Sequence, residues 1–205
     1  LIPPIEPTLP PDAQTRQLRA INESVIKLNH VVHHGGIGHH VQNWHARRAA
    51  SRIGQMAGVD TPARIAMFCA GTLVEGWSSY AVDLMDEVGF LTPLEHYYQQ
   101  YARLRASARA IVDVNLHHGR FTFADAVAFY RDDAGMSEEA ATGEVVKNSM
   151  FPGAAMMYLI GQDMIRDLRA EVVRRDGAQF SLRHFHDQFL SYGAIPVTLI
   201  ADAMR

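Results

Sequence analysis

The sequence has a single cysteine, Cys69, and only two lysines, Lys27 and Lys147. One cysteine excludes an internal disulfide and every cysteine-rich zinc site, and it says little about redox compartment. No apolar run approaches the roughly 18 residues of a helical bilayer span. The opening stretch LIPPIEPTLPP lacks the basic and apolar regions of a signal peptide, so a soluble chain is expected, with a cytoplasmic location slightly favoured. An excess of basic charge is also missing. Lys and Arg number 19 against 22 Asp and Glu, for a formal net charge of -3. No sequence-wide field is available to hold a nucleic acid or an anionic membrane. The 17 arginines are scattered along helical segments among acids, which suits solvated faces better than a nucleic-acid footprint. Sustained period-two alternation is absent too, so little or no sheet is expected.

What remains is an ordinary globular composition, 205 residues with 48% hydrophobic and 20% charged, enough for one domain with a substantial core. Residues 1–14 read as a proline-rich lead and 15–205 as a single helical domain. Leu18, Ile21, Val25, Leu28 and Val32 recur at helical spacing and predict a helix over 13–32 that runs into a histidine-rich segment. Gly35, Gly36 and Gly38 should interrupt or distort it, and a second helix is expected from His39 through Trp44 and Ile53 to Gly54 and Gly58. Thr61-Pro62 reads as a helix start, opening a long segment towards Glu87 with Gly89 as its stop, and Thr92-Pro93 repeats the signal. Thr122 with Asp125 resembles a capping box, and Ser137 supplies a further cap. A helix after Pro152, broken or adjusted near Gly153 and Gly161, should run to Asp176-Gly177, with shorter helices at 181–191 and after Pro196. The fold class is all-α.

Histidine is the abundance that needs explaining. Six of the 11 (His30, His33, His34, His39, His40, His45) fall within sixteen residues. Imidazole is a common metal ligand and a near-neutral acid or base. On a straight α-helix His33 and His39 would lie about 120° apart and could not share a metal. His33 and His40 would share a face but stand about 10 Å apart in rise. Either pairing needs a distorted helix, which the three glycines could provide; His30 and His34 alone have the i, i+4 spacing that binds a metal on an undistorted one. A solvated histidine-rich helix end, or buried imidazoles bonded to carbonyls, fits the spacing equally well. Glu75, between Val74 and Trp77, is the local candidate for a third ligand, with a salt bridge to an arginine as the plainer alternative.

Five blocks carry a resemblance. They are HHGGIGHHVQ from His33, EGWSSYAVDLMDEVG from Glu75, RAIVDVNLH from Arg109, EVVKNSMFPGAAMMYLIG from Glu144 and FHDQFLSYGAIPV from Phe185. In order and spacing, from about residue 28 to 204, they resemble the C-terminal part of the bacterial family called domain of unknown function 885, a branch similar to the zincin metallopeptidases. That resemblance implies a helical zincin-like scaffold in which His33, His39 and Glu75 hold a divalent metal, zinc first and iron or another transition metal as alternatives. It also implies polar roles for His117, Tyr158 and His186 towards a substrate carbonyl or oxyanion. Asp113 and Glu144 would orient imidazoles or pair with arginines.

The departures from the family pattern matter as well. His34 stands where a zincin has its general-base glutamate. Ile37 replaces a proline, Lys147 and Asn148 replace arginine and tyrosine, and Ala154 replaces glutamine. The resemblance therefore implies a metal-dependent enzyme, hydrolytic by ancestry, with His34 or His117 moving the proton. A non-hydrolytic metalloenzyme and a metal-free structural subunit are the alternatives. Family members are longer and the chain starts at Leu1, so an N-terminal fragment of a precursor or a second subunit is expected to complete the cleft for a small-molecule or peptide-like substrate; otherwise the chain would self-associate.

Overall fold

The structure, a computed structural model, describes residues 6–56 and 65–205. The start signal at Thr61-Pro62 and the glycine at 58 lie outside the described residues. Every regular element among the described residues is helical, as the absence of period-two patterning requires.

Helix α1, Pro11–Ala20, begins inside the stretch read as a lead, because a proline at the first helical position sacrifices only an N–H that had no partner. The expected continuous helix to Val32 is instead broken at Ile21. Asn22 caps a new start, its side chain accepting from the Val25 amide, and the short α2, Glu23–Val25, passes into a π-helix over Ile26–His34. Helix α3, His39–Ala46, stops well before the glycines, and α4 covers Arg52–Met56.

Helix α5, Ile65–Glu87, bends at Ala70. The start read at Thr92-Pro93 opens α6, Pro93–His117, where Thr92 and Glu95 form a capping box, and the box read at Thr122 and Asp125 opens α7, Phe123–Asp132. Ser137 caps α8, Glu138–Met150. Helix α9, Met156–Asp176, is followed by a 3-10 turn, Gly177–Gln179, then α10, Leu182–Ser191, and α11, Val197–Met204.

Two cores result. Leu73, Trp77 and Tyr80 of α5 pack with Ile165 and Leu168 of α9, Phe185 and Phe189 of α10 and Ile200 of α11. Val112 of α6, Tyr130 of α7 and Val145 of α8 anchor the second cluster. The crossing of α5 and α9 sets the site. A Cβ on Gly161 would lie 2.1 Å from the Thr72 carbonyl oxygen, and one on Gly76 would lie 2.5 Å from the Gly161 carbonyl carbon. Gly161 therefore leaves α9 unbroken and lets it touch α5 backbone to backbone. No described helix is long and apolar enough to cross a membrane.

Candidate metal centre

The π-helix and the glycine turn act together on the histidines. Wide i to i+5 bonding continues to the Gly35 amide, which donates to the His30 carbonyl at 3.1 Å. Gly36 takes a positive φ of 27°, and the Gly38 amide donates back to the Val32 carbonyl at 3.1 Å. A Cβ on Gly38 would stand 1.9 Å from the His33 carbonyl oxygen, so the reversal closes tightly only around glycine. It returns His39 to His33 with ring centroids 4.8 Å apart and planes perpendicular. Nitrogens of His33, His34 and His39 all lie within 4.8 Å of one another. His30 stacks on His34 at 5.6 Å.

Glu75 faces this group from α5. Its Oε2 lies 3.3 Å from His33 Nε2 and 3.5 Å from His39 Nε2, all three side chains being mostly buried. Neither contact is aligned as a hydrogen bond, and Oε2 is buried without a partner. Donor atoms about 2.0–2.1 Å from a tetrahedral ion are separated by about 3.3–3.4 Å, so the distances from Glu75 Oε2 to the two imidazole nitrogens are close to those such an ion requires. Burial works to raise the Glu75 carboxyl, but the two imidazoles facing it, when protonated, outweigh burial and bring it down to about 2.

Four consecutive residues of α5 hold this arrangement. Glu75 meets the imidazoles, and Gly76 seats α9. The Trp77 indole N–H donates to the Ile37 carbonyl of the glycine turn at 2.9 Å. Ser78 Oγ lies 2.8 Å from His39 Nδ1 and 3.1 Å from the Val74 carbonyl oxygen. With its one proton given to Val74, the hydroxyl accepts from His39 Nδ1–H and leaves the Nε2 lone pair directed at Glu75. Sequence reasoning passed over Ser78. A hydroxyl three residues after a candidate ligand shares its helix face, and that was the available signal.

The remaining candidates separate into groups. His34 is the exposed member of the cluster; burial first, then the charges of its histidine neighbours, hold it below the ordinary histidine range. Burial, followed by the Glu75 charge, pushes the Tyr158 hydroxyl up to about 12, and the cations of Arg109 and Lys147 each lie 5.9 Å from the centre of its ring. His117, at the end of α6, lies 3.1 Å from the Asn148 carbonyl oxygen. Asp113 orients no imidazole closely, since it accepts from the Gly153 and Ala155 amides at 2.8 and 3.2 Å and stands 4.0 Å from His117. Glu144 pairs with Arg105 and Arg109.

His186 joins Tyr80 rather than the cluster, its Nε2 2.9 Å from the Tyr80 hydroxyl and its ring edge-on to Trp77. Burial, then the charge of Arg169, pushes His186 down to about 4. The folded protein thus resists a proton that the unfolded chain accepts near pH 6.5, so stability is retained above that pH and lost as pH falls towards 4. For this half-buried group the loss, discounted for solvent screening, is about 2 kcal/mol. Urea midpoints measured between pH 7 and 4 should fall less steeply in His186→Asn than in the wild type.

Two solved structures resemble the chain. One is a candidate lipoprotein of unknown function from Shewanella oneidensis, with 26% identity and a TM-score of 0.78 over 96% of this chain and 34% of that one. The other is a candidate lipoprotein from Colwellia psychrerythraea, with 29% identity and a TM-score of 0.62 over 64% of this chain and 23% of that one. The chain thus spans about a third or less of the length of these proteins. No curated protein matches. The sequence matches the bacterial proteins of unknown function grouped as DUF885 across residues 10–204, and the chain belongs to that family.

Proposed function

We propose that the chain is a metal-dependent enzyme on a zincin-like scaffold, hydrolytic by ancestry, with His33, His39 and Glu75 as the ligands of a divalent ion and zinc as the first choice. The observation that carries this reading is the buried Glu75 Oε2, without a hydrogen bond and 3.3 and 3.5 Å from two imidazole nitrogens. A divalent ion between them would satisfy the orphaned carboxylate oxygen and both imidazole nitrogens at once. A bound divalent ion supplies Lewis acidity and acidifies a coordinated water. Ser78 holds His39 in the tautomer that offers Nε2. His34, neutral near pH 7 and exposed, is the nearest base at the position where zincins carry glutamate. Tyr158 keeps its proton at working pH and can donate to a developing oxyanion.

Elemental analysis after zinc loading and dialysis is expected to find one ion per chain, and His33→Ala is expected to retain less than about a tenth of it. Failure of the wild type to retain metal would sink the enzyme reading, while unchanged occupancy in the variant would sink the ligand assignment.

Leu94, Tyr97, Leu104 and Ile111 form an apolar stripe on α6, Leu94 and Tyr97 being 71% and 70% exposed. Together with the greater length of the similar structures, that stripe favours a partner polypeptide that completes the unit. The same stripe is what a structural subunit of a catalytic partner would carry.

A further inference from the structure

A cavity of about 270 Å3 lies beside the histidine cluster, with His33, Asn29, Asp83, Gln99, Arg105 and Arg109 in its wall. Two residues of its wall, Gln99 and Arg105, each carry a buried polar atom that the protein leaves unpaired. On one side the buried Asp83 takes the Gln99 amide N–H at 2.6 Å on one oxygen and the Gln162 amide N–H at 2.8 Å on the other. Gln99 is 8% exposed, and with its nitrogen committed to Asp83 its Oε1 is buried without a donor.

On the other side Arg105 and Arg109 share a single carboxylate. Arg109 grips both oxygens of Glu144, Nε at 2.7 Å and Nη2 on the second oxygen, while Arg105 Nη2 reaches that second oxygen at 3.2 Å. Two guanidiniums against one carboxylate leave a positive charge in excess, and Arg105 Nε is buried with no acceptor. Orphaned donors and acceptors carry a cost that a ligand can relieve.

We propose that this cavity binds the carboxylate-bearing end of an acylated amino acid or short peptide. The carboxylate pairs with Arg105, and the adjoining amide N–H donates to Gln99 Oε1. The volume falls near the lower end of small-molecule pockets, which suits one or two residues of chain. Because His33 lines the same cavity, a chain continuing beyond that amide has the histidines within the same space. Its relevance to catalysis rests on the metal-centre reading; the binding preference itself does not.

The test is calorimetric titration of N-acetyl-alanyl-alanine and of its C-terminal amide into the whole chain, both chelator-treated and zinc-loaded. The acid is expected to bind about tenfold or more tightly than the amide in both forms. Arg105→Gln should reduce that preference to less than about twofold, with its far-UV circular dichroism unchanged. In the wild type, nitrogen-15 spectra should show the Arg105 Nε–H resonance moving on addition of the acid and staying still with the amide, a readout that needs no variant. Equal binding of acid and amide, no binding of either, a preference that survives in Arg105→Gln, or a motionless Arg105 resonance would each overturn the proposal. A protein that holds no zinc yet prefers the acid defeats the metal reading alone, and one that holds zinc without the preference defeats this proposal alone.

Discussion

Gly38→Ala is expected to weaken zinc binding by at least about a hundredfold, some 2.7 kcal/mol, while far-UV circular dichroism stays at the wild-type level. The reason is local. The added Cβ would lie 1.9 Å from the His33 carbonyl oxygen and 2.5 Å from that of Val32, and both are backbone atoms that cannot rotate away. Relief requires the turn to open by more than an ångström, which withdraws His39 from His33 and Glu75. A metal site tolerates little such movement, because its donors must meet near 2 Å. Helices α6, α7 and α8 pack in a separate cluster and should not register the change. Competition against a chromophoric chelator measures the affinity. Wild-type affinity in this variant would mean that the glycine turn does not set the position of His39.

Gly161→Ala is expected to destabilise the fold by about 3 kcal/mol or more, and Gly143→Ala to stabilise it by about 0.5–1 kcal/mol. Both glycines sit within helices, so propensity alone would favour alanine at either position. At 161, however, the new Cβ would stand 2.1 Å from the Thr72 carbonyl oxygen and 2.9 Å from the Gly76 Cα, forcing α5 and α9 apart along the crossing that carries Glu75. At 143 nothing lies within 4 Å. Urea midpoints of the two variants should therefore move in opposite directions. Movement in the same direction would show that the helices do not approach as closely as described.

The helix starts were the most legible part of the fold, because capping is local chemistry: Thr92, Thr122 and Ser137 all cap where their side chains suggest. The early break was harder to read. Asn22 lies within a regular apolar period, and periodicity registers which face is buried, not whether the backbone between its members is continuous. Gly161 was expected to break or adjust α9 because intrinsic propensity treats every internal glycine alike; only the proximity of Gly76, far away in sequence, reveals its packing role.

The same division runs through the site. That His33 and His39 could meet only on a distorted helix followed from helical geometry, but the form of the distortion, a π-helix ending in a closed reversal, depends on amide bonds that no residue pattern announces. Asp113 and Glu144 had two open roles; Glu144 proved to pair with arginines, while Asp113 caps the turn before α9.

The π-helix over Ile26–His34 gives a last consequence, which concerns descent. Wide turns of this kind hold one residue more per hydrogen-bonded ring than an α-helix does. A single inserted codon in an ancestral gene is enough to start one, and a single deletion is enough to close it. While a wide turn absorbs the residue gained or lost, side chains beyond it keep their faces; a length change that no such turn takes up swings them by about 100°. Losing one codon from this segment without closing a wide turn would rotate His33 and His34 together relative to the start of the helix, so the histidine cluster depends on the segment keeping its length and its wide turns in step.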